Sequence, residues 1–181
     1  MNHADHVALL REGVLEESGE PAGLLWADLG SGRGAFTLAL AELLGPDGVI
    51  YSVDQDARAL DAQRQEIQVA FGATAPKMHY LVADYTRPVD LPLLDGIVMA
   101  NTLHFHGDPA PVVRAVAGYL RPGGRLIVVE YGADRGNVWV PHPFSYPTWE
   151  RTAARCGFCD TRLLMTVPSR FLGHIYSAVS R

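Results

Sequence analysis

The amino-acid sequence predicts an α/β fold, in which a mostly parallel β-sheet is covered by helices on both faces. Short, continuous apolar runs alternate with segments of helical period, as in parallel sheets that are buried on both sides. With 48% hydrophobic and 19% charged residues, the chain can bury a substantial core. Its 18 Gly and 12 Pro supply turns between short elements, and its length of 181 residues predicts a single domain, residues 1–181.

Residues 1–23 are expected to form a helical lead-in to this domain. Because Gly19 and Pro21 cannot continue a helix, the first helix is predicted to stop at Ser18–Pro21. The apolar residues before that point recur at helical spacing, namely Val7, Leu10, Val14 and Leu15.

Residues 24–131 are predicted to form a core of alternating strands and helices. The apolar runs predict five strands, at residues 24–27, 49–53, 78–83, 94–100 and 125–130. Segments of helical period follow the first, second and fourth strands. These helices are expected to begin near Phe36, Asp56 and Asp108 and to end at the turns 45–48, Gly72 and 121–124. Strands that alternate with helices in this way indicate a parallel sheet.

The last segment, residues 132–181, breaks the alternation. A loop from Gly132 to Pro147 precedes a helix near Trp149–Arg155, and two further strands are predicted at 158–167 and 170–180. Two linking residues are too few for a parallel crossover, so these strands are predicted to pair as an antiparallel hairpin. Four aromatic rings lie among prolines in the loop, and they either form a stiff apolar lid or pack the loop onto the sheet: Trp139, His142, Phe144 and Tyr146.

The charge balance argues against a nucleic-acid partner. Fifteen Lys and Arg against 20 Asp and Glu give a net charge of −5, and no basic run is present that could neutralise phosphates. The N-terminus lacks a secretory signal pattern, and no stretch approaches the roughly 18 apolar residues that span a bilayer. Only Cys156 and Cys159 are available, too few for a disulfide framework. We therefore expect a cytoplasmic protein without a membrane partner.

Glycines and acids gather at the predicted carboxyl ends of the strands, where open parallel sheets bind ligands. The segments that follow the first four strands are the loop 28–34, Asp54, Asp84 and Asn101. Taken alone, the glycine spacing also fits the dinucleotide-binding pattern, which would end at Ala35. A carboxylate at Asp28 would repel a pyrophosphate and attract an ammonium, which favours a ligand with a cationic group.

The motif Asp28-Leu29-Gly30-Ser31-Gly32-Arg33-Gly34 resembles the first motif of the class I S-adenosylmethionine-dependent methyltransferases, an acidic residue followed by G-x-G-x-G. The terminal hairpin is also similar to that family's sheet, and the resemblance covers residues 24–181. It implies a Rossmann-like, mostly parallel sheet of seven strands in the order 3-2-1-4-5-7-6 with an antiparallel C-terminal hairpin. It further implies that residues 24–131 bind S-adenosylmethionine as cofactor, with S-adenosylhomocysteine as the product.

The resemblance assigns one part of the cofactor to each strand end. The glycine loop would approach the methionine part, with Asp28 near its amino group, and Asp54 would bind the ribose hydroxyls. Asp84 and the Tyr85 backbone would contact the adenine edge, and Asn101 would line the methionine end. In the alternative interpretation, the acids only cap helices and Asn101 only fixes a turn. The expected cofactor residues are Asp28, Gly30, Ser31, Gly32, Gly34, Asp54, Gln55, Asp84, Tyr85 and Asn101.

The segment after the fourth strand carries the candidate catalytic residues. Methyl transfer needs an aligned nucleophile and, for some acceptors, a base that removes a proton. His104 and His106 supply imidazoles with an intrinsic pKa of about 6.5. They face the same way on extended backbone and diverge on a helix, and either one is alternatively a structural residue. The segment lacks the Asn/Asp-Pro-Pro-Tyr/Phe signature of methyltransferases that act on nitrogens in nucleic acids and proteins.

No metal site is expected. His104, His106 and Asp108 lack a further closely spaced ligand set. Cys156 and Cys159 have the spacing of redox and zinc motifs, but the intervening glycine suits a helix C-cap and no second pair completes a zinc site. We therefore interpret both cysteines as structural residues.

The leading functional hypothesis is methyl transfer from S-adenosylmethionine to a small-molecule acceptor, through O, N, S or C. The few residues before the first strand, 1–23, and the lack of a large insertion leave little material for recognising a macromolecule. The second hypothesis is a non-catalytic protein that binds the cofactor or its product, such as a partner or regulatory subunit. A nicotinamide-dependent oxidoreductase is the third, and Asp28 argues against it. The oligomeric state stays open.

Overall fold

The computed structural model describes residues 1–15 and 23–181. The first helix ends at Val14, where Leu15 is already extended, and is therefore shorter than predicted; the predicted stop at Ser18–Pro21 lies outside these residues. The strands are β1 Leu25–Leu29, β2 Val49–Asp54, β3 Lys77–Val82, β4 Leu94–Ala100, β5 Leu120–Tyr131, β6 Thr161–Ser169 and β7 Gly173–Ser180. The helices are α1 His3–Val14, α2 Ala35–Leu44, α3 Ala57–Phe71, α4 Ala110–Ala117 and α5 Tyr146–Arg155. No helix within these residues combines the length and the apolar character that crossing a membrane requires.

The strands form one sheet in the order β3-β2-β1-β4-β5-β7-β6, which confirms the predicted architecture. The pairings among β1 to β5 are parallel, whereas β7 runs antiparallel to both β5 and β6. The order of the strands along the sheet reverses between β1 and β4. Such a reversal opens a crevice outside the carboxyl ends of the two strands, so the fold itself indicates where a ligand binds.

Apolar side chains fill the space on both faces of the sheet. On one face, α4 and α5 contribute Val113 and Trp149, which are fully buried. On the other face, Leu9 of α1, Leu40 of α2 and Ile67 of α3 belong to a second buried cluster. Helices therefore cover both faces, as the continuous apolar strands predicted.

Both strands of the C-terminal hairpin begin later than predicted, although their antiparallel pairing is confirmed. β6 starts at Thr161 and β7 at Gly173, and Phe158 is instead buried in the core after α5. The turn between the strands comprises residues 170–172. Pro168 lies within β6 because this strand is at the edge of the sheet, where the missing amide donor is tolerated.

The turn predicted at 121–124 is part of β5 rather than the end of a helix. β5 starts at Leu120, opposite Leu94, and the register shifts before the next paired residue of β4, Gly96. The extra residues form a bulge in β5, and the left-handed backbone of Gly123 (φ +80°) accommodates it. The preceding helix, α4, consequently ends at Ala117.

The long loop before α5 does not form the aromatic wall that its composition suggested as one alternative. Trp139 is 76% exposed, whereas Phe144 is buried against Trp149 with ring centroids 5.8 Å apart. Tyr146 is the first residue of α5, and its hydroxyl lies 3.0 Å from Glu150 Oε1 and 3.1 Å from the Thr161 carbonyl. The second alternative therefore holds for Phe144 and Tyr146, because apolar burial against the sheet is favourable.

Candidate functional site

The carboxyl ends of β1 to β4 open into one cleft with a volume of about 480 Å³. This volume lies within the range of small-molecule and cofactor pockets. The fold brings together eight of the twelve predicted site residues along its wall: Gly30, Gly32, Asp54, Gln55, Asp84, Tyr85, Asn101 and His106. The other four, Asp28, Ser31, Gly34 and His104, are not among the residues that line it.

The Asp54 carboxylate joins the glycine loop to the start of α3. Oδ2 accepts a hydrogen bond of 2.7 Å from the Gly32 backbone N–H, and Oδ1 accepts one of 2.9 Å from the Asp56 N–H. Gly32 has a left-handed backbone (φ +53°), and a Cβ built there would meet no atom within 4 Å. The loop therefore presents bare backbone to open space beside a carboxylate, which allows a ligand to approach closely.

A buried polar network supports the loop from below. Ser52 Oγ lies 2.8 Å from Ser31 Oγ and 2.7 Å from Gln63 Oε1, and Gln63 Nε2 donates to both Ser31 Oγ and the Gly32 carbonyl at 3.2 Å. A Cβ at Gly34 would collide with the Gln63 side chain. Sequence analysis missed Gln63, although a glutamine on the inward face of α3 is the signal that could have found it.

Asp28 lies beneath the loop rather than on the cleft wall. Its side chain is fully buried, and the Thr37 hydroxyl donates to the carboxylate at 2.6 Å. Burial raises the pKa of Asp28 to about 7, and the nearby Asp54 carboxylate adds to the shift. The pKa of Asp28 is thus close to neutral pH. Its hydrogen bond with Thr37 links β1 to α2.

Asp84, after β3, forms a compact turn with Thr86. Its Oδ1 accepts from the Thr86 N–H at 2.9 Å and from the Thr86 hydroxyl at 2.6 Å. These two hydrogen bonds lower the pKa of Asp84, so the carboxyl is ionised at neutral pH. The turn holds a negative charge at the mouth of the cleft.

Asn101, at the end of β4, carries an unusual backbone and an unpaired polar atom. Its φ of +53° is in the left-handed region, and its N–H donates to the Val129 carbonyl at 2.8 Å. Its side-chain Oδ1 is buried and has no hydrogen-bond partner within the described ranges 1–15 and 23–181. A buried acceptor of this kind in a cleft-lining residue suits a ligand that donates hydrogen bonds.

The Tyr85 side chain joins the residues after β3 to those after β4. Its hydroxyl lies 2.8 Å from Thr102 Oγ1, 3.2 Å from the Thr102 carbonyl and 2.9 Å from His106 Nε2. Burial raises the pKa of the Tyr85 phenol, so this group keeps its proton. Sequence analysis assigned only the backbone of Tyr85 and missed Thr102, since the contacts join positions 17 and 21 residues apart.

The two candidate catalytic histidines have different environments. The segment Leu103–Phe105 forms a 3₁₀ turn, so the imidazoles of His104 and His106 diverge. His106 lines the cleft, whereas the His104 side chain is only 4% exposed and its Nδ1 lies 2.7 Å from Glu130 Oε2. The geometry therefore favours the structural interpretation for His104 and leaves His106 beside the site.

Glu130, at the end of β5, holds the whole turn. Its Oε1 accepts from three consecutive backbone N–H groups, those of Thr102, Leu103 and His104, at 3.1, 2.9 and 3.2 Å. The side chain is fully buried, and such a carboxylate is retained only where its hydrogen bonds are satisfied. Sequence analysis missed Glu130, although a glutamate inside a buried strand is itself the available signal.

Comparison with known proteins identifies the family. The sequence model of a methyltransferase domain family matches residues 27–128, more than half of the chain. The ubiquinone/menaquinone biosynthesis C-methyltransferase of Pseudomonas aeruginosa is 28% identical over 131 residues, which cover 69% of this chain and 48% of that enzyme. The chain thus spans about half the length of this relative.

Solved structures share the fold over nearly the whole chain. A putative O-methyltransferase of Nostoc punctiforme superimposes with a TM-score of 0.76 at 19% identity, covering 98% of this chain and 56% of that one. The magnesium protoporphyrin IX methyltransferase of Synechocystis, solved with bound S-adenosylmethionine, gives a TM-score of 0.68 at 18% identity and covers 99% of this chain and 77% of that one.

Proposed function

This chain belongs to the methyltransferase domain family, and on that premise we propose that it transfers the methyl group of S-adenosylmethionine to a small-molecule acceptor. One observation carries the proposal. A single cleft collects the glycine loop after β1 together with Asp54, Asp84 and Asn101 from the next three strand ends. Four successive strand ends offering polar groups to one cavity match a ligand that has several polar parts in a row.

The polar groups of the cleft fit the parts of this cofactor. An ionised carboxylate has about four lone-pair positions, so Asp54 can accept from a ribose diol beyond the two backbone bonds it already accepts. The unpaired Oδ1 of Asn101 can accept from an ammonium group. Gly32 leaves room for the close approach of the methionine chain, and the Asp84 turn is proposed to contact the adenine edge.

Asp28 is proposed to contribute from beneath the loop. Because its carboxyl is buried against Thr37 and its pKa is raised to about 7, a full negative charge is costly there unless a cation is nearby. A bound ammonium above the loop would favour the ionised form. Asp28 would then act as a long-range partner of the cofactor and also as the link between β1 and α2.

Bound S-adenosylmethionine would supply an electrophilic methyl group on its sulfonium. The chain's own residues would bind the acceptor beside it, exclude water and, for an acidic acceptor, take up a proton. Phe105, 60% exposed on the cleft wall, offers an apolar surface for a small molecule, and His106 offers an imidazole. Phe105 and His106 are consecutive residues of the loop after β4, residues 101–109, which we call the β4 loop. They form the proposed acceptor side of the cleft.

The relatives support a small-molecule acceptor. Their names refer to ubiquinone and menaquinone biosynthesis and to magnesium protoporphyrin IX, all of them small molecules. A reducing compartment such as the cytoplasm is proposed because Cys156 and Cys159 are both free thiols. The net charge of −5 supports the view that nucleic acid is not the substrate.

The proposal is tested by calorimetry with S-adenosylhomocysteine and NAD in parallel, followed by a screen of small-molecule acceptors with S-adenosylmethionine. We expect S-adenosylhomocysteine to bind and to raise the melting temperature, and NAD to do neither. Stabilisation by NAD with none by S-adenosylhomocysteine would contradict the proposal. Binding of S-adenosylhomocysteine without turnover on any hydroxyl, amine, thiol or carbon acceptor would instead favour a non-catalytic binding protein.

A further inference from the structure

We propose that Tyr85 is a positioning residue that holds the His106 imidazole in its Nε2–H tautomer, which leaves Nδ1 to accept the proton of a hydroxyl acceptor. This inference rests on the proposed methyl transfer and extends it to the acceptor, for which it specifies the hydroxyl class. It also separates the two histidines, since only His106 lies on the cleft wall.

The Tyr85 hydroxyl has a single proton for the contacts around it. Three contacts meet at this oxygen: Thr102 Oγ1 at 2.8 Å, the Thr102 carbonyl at 3.2 Å and His106 Nε2 at 2.9 Å. The carbonyl can only accept, so a hydrogen bond between it and Tyr85 uses the single phenolic proton, and the Thr102 hydroxyl donates to Tyr85. The contact between the Tyr85 oxygen and His106 Nε2 is then a hydrogen bond only if Nε2 carries the proton and donates it.

The alternative assignment is less favourable. If Tyr85 donated to His106 Nε2, its oxygen and the Thr102 carbonyl would face each other at 3.2 Å with no proton between them. Burial raises the pKa of the Tyr85 phenol, so the hydroxyl is not available as a phenolate that would change the count. The Nε2–H tautomer is thus the neutral form of His106 that puts one proton into each contact.

The cluster formed by Tyr85, Thr102 and His106 is anchored to the sheet. Thr102 is itself fixed, because its backbone N–H donates to the fully buried Glu130 carboxylate at 3.1 Å. Tyr85 packs across from the His106 ring, with an interplanar angle of 81° and centroids 5.8 Å apart. The imidazole is therefore held by a partner that is anchored to the sheet, as a positioned base requires.

The acceptor would bind beside His106, where two cavities meet. His106 lines both the cleft and a neighbouring cavity of about 310 Å³, which Asp108, Asp134, His142 and Arg155 also line. A small molecule that extends from the cleft into this second cavity would pass the His106 imidazole. The donors and acceptors around it suit an acceptor that carries a hydroxyl on a polar ring or chain.

The proton and electron balance of the proposed step is simple. The acceptor O–H bond breaks, its proton moves to His106 Nδ1, and the oxygen electron pair forms the new bond to the methyl carbon. The carbon–sulfur bond breaks with its electron pair on sulfur, which gives the neutral thioether product. The imidazolium, now protonated on both nitrogens, then returns the proton to water.

The experiment is ¹⁵N NMR of the whole chain labelled at histidine, which identifies the protonated ring nitrogen without any acceptor. The His106 signals are assigned with the His106→Gln variant, and the spectra are recorded at a pH where the ring is neutral. We expect the Nε2–H tautomer in the wild type and a loss of this preference in Tyr85→Phe. Tyr131→Phe is the matched control, because Tyr131 packs against His104 instead, with centroids 5.6 Å apart.

An Nδ1–H tautomer in the wild type, or an unchanged tautomer in Tyr85→Phe, would overturn the inference. Calorimetry with S-adenosylhomocysteine on the same samples keeps the two proposals apart. Absence of binding would refute the proposed function, whatever the tautomer. Binding of S-adenosylhomocysteine together with the wrong tautomer would refute only the role of Tyr85 and His106.

Discussion

The carboxylate of Asp54 accepts a 2.7 Å hydrogen bond from the backbone N–H of Gly32, so the acid that ends β2 is tied directly to the glycine loop after β1. The two residues are 22 positions apart in the chain, and the strands β1 and β2 are adjacent in the sheet. The same carboxylate also faces the cleft. The loop geometry and the proposed cofactor contact therefore involve the same side chain.

Replacing Asp54 by Ala should weaken the binding of S-adenosylhomocysteine by roughly 1.5–3 kcal/mol, the range for hydrogen bonds to a charged group. The matched control is Asp56→Ala. Asp56 is the N-cap of α3, where it accepts from the Arg58 and Ala59 N–H groups, and it does not line the cleft. That variant should lower stability with little effect on affinity. Equal affinities of Asp54→Ala and the wild type, by calorimetry, would show that Asp54 does not bind the ligand.

The glycines of the loop should separate stability from binding. Gly34→Ala should lower the free energy of unfolding by about 1–3 kcal/mol from overpacking against Gln63, in addition to the strain of a left-handed backbone. Gly32→Ala meets open space and should carry only the backbone cost, about 1 kcal/mol. Urea unfolding measures both. Gly32→Val, with its branched side chain directed into the ligand space, should abolish binding. A Gly34→Ala variant as stable as Gly32→Ala would contradict the role of Gln63.

Stability should depend on pH through Asp28. Its pKa is raised to about 7 in the folded chain, against about 3.9 when unfolded, so the folded state binds the proton more tightly. The contribution to stability is therefore full below about pH 4 and is lost as the pH rises to about 7, on the order of a few kcal/mol. Asp28→Asn, which can still accept from the Thr37 hydroxyl, should remove this slope.

The measurement for Asp28 is the difference between wild type and Asp28→Asn in urea midpoint across that pH range. Taking the difference removes the opposite contribution of Asp84, whose pKa is lowered by its hydrogen bonds to Thr86. Parallel curves for the two proteins would mean that the Asp28 carboxyl titrates normally.

Once an acceptor is found, the two histidines should behave differently. His106→Gln should lower turnover by on the order of 10²–10⁴ with nearly unchanged affinity for S-adenosylhomocysteine. His104→Gln should act on stability, because it breaks a buried pair with Glu130. Steady-state kinetics and urea unfolding of both variants test this. An acceptor that is already deprotonated would leave His106→Gln active and would argue for alignment alone.

The parts of the site that the sequence predicted are those set by strand ends. Asp54, Asp84 and Asn101 each stand at or just after the end of a predicted strand, and the parallel topology then brings them to one edge of the sheet. Such positions are readable because strand periodicity and connection rules involve only neighbouring residues.

The parts that could not be predicted depend on contacts across the sheet. Whether His104 or His106 lines the cleft is decided by a 3₁₀ turn that the Glu130 carboxylate holds from β5, 26 residues away. Phe144 belongs to the core because it packs against Trp149. Composition alone cannot distinguish a loop aromatic that packs in this way from one that forms a lid. Local propensity carries no information on either arrangement.

Glu130 holds the β4 loop through the backbone N–H groups of Thr102, Leu103 and His104 and through the His104 imidazole, and none of these bonds involves the side chain of Phe105. Phe105 projects from that frame onto the cleft wall and is largely exposed. The hydrogen bonds that support the loop are thus separate from the proposed acceptor surface. An exchange of the Phe105 side chain is consequently expected to change acceptor preference without removing any of these supporting bonds.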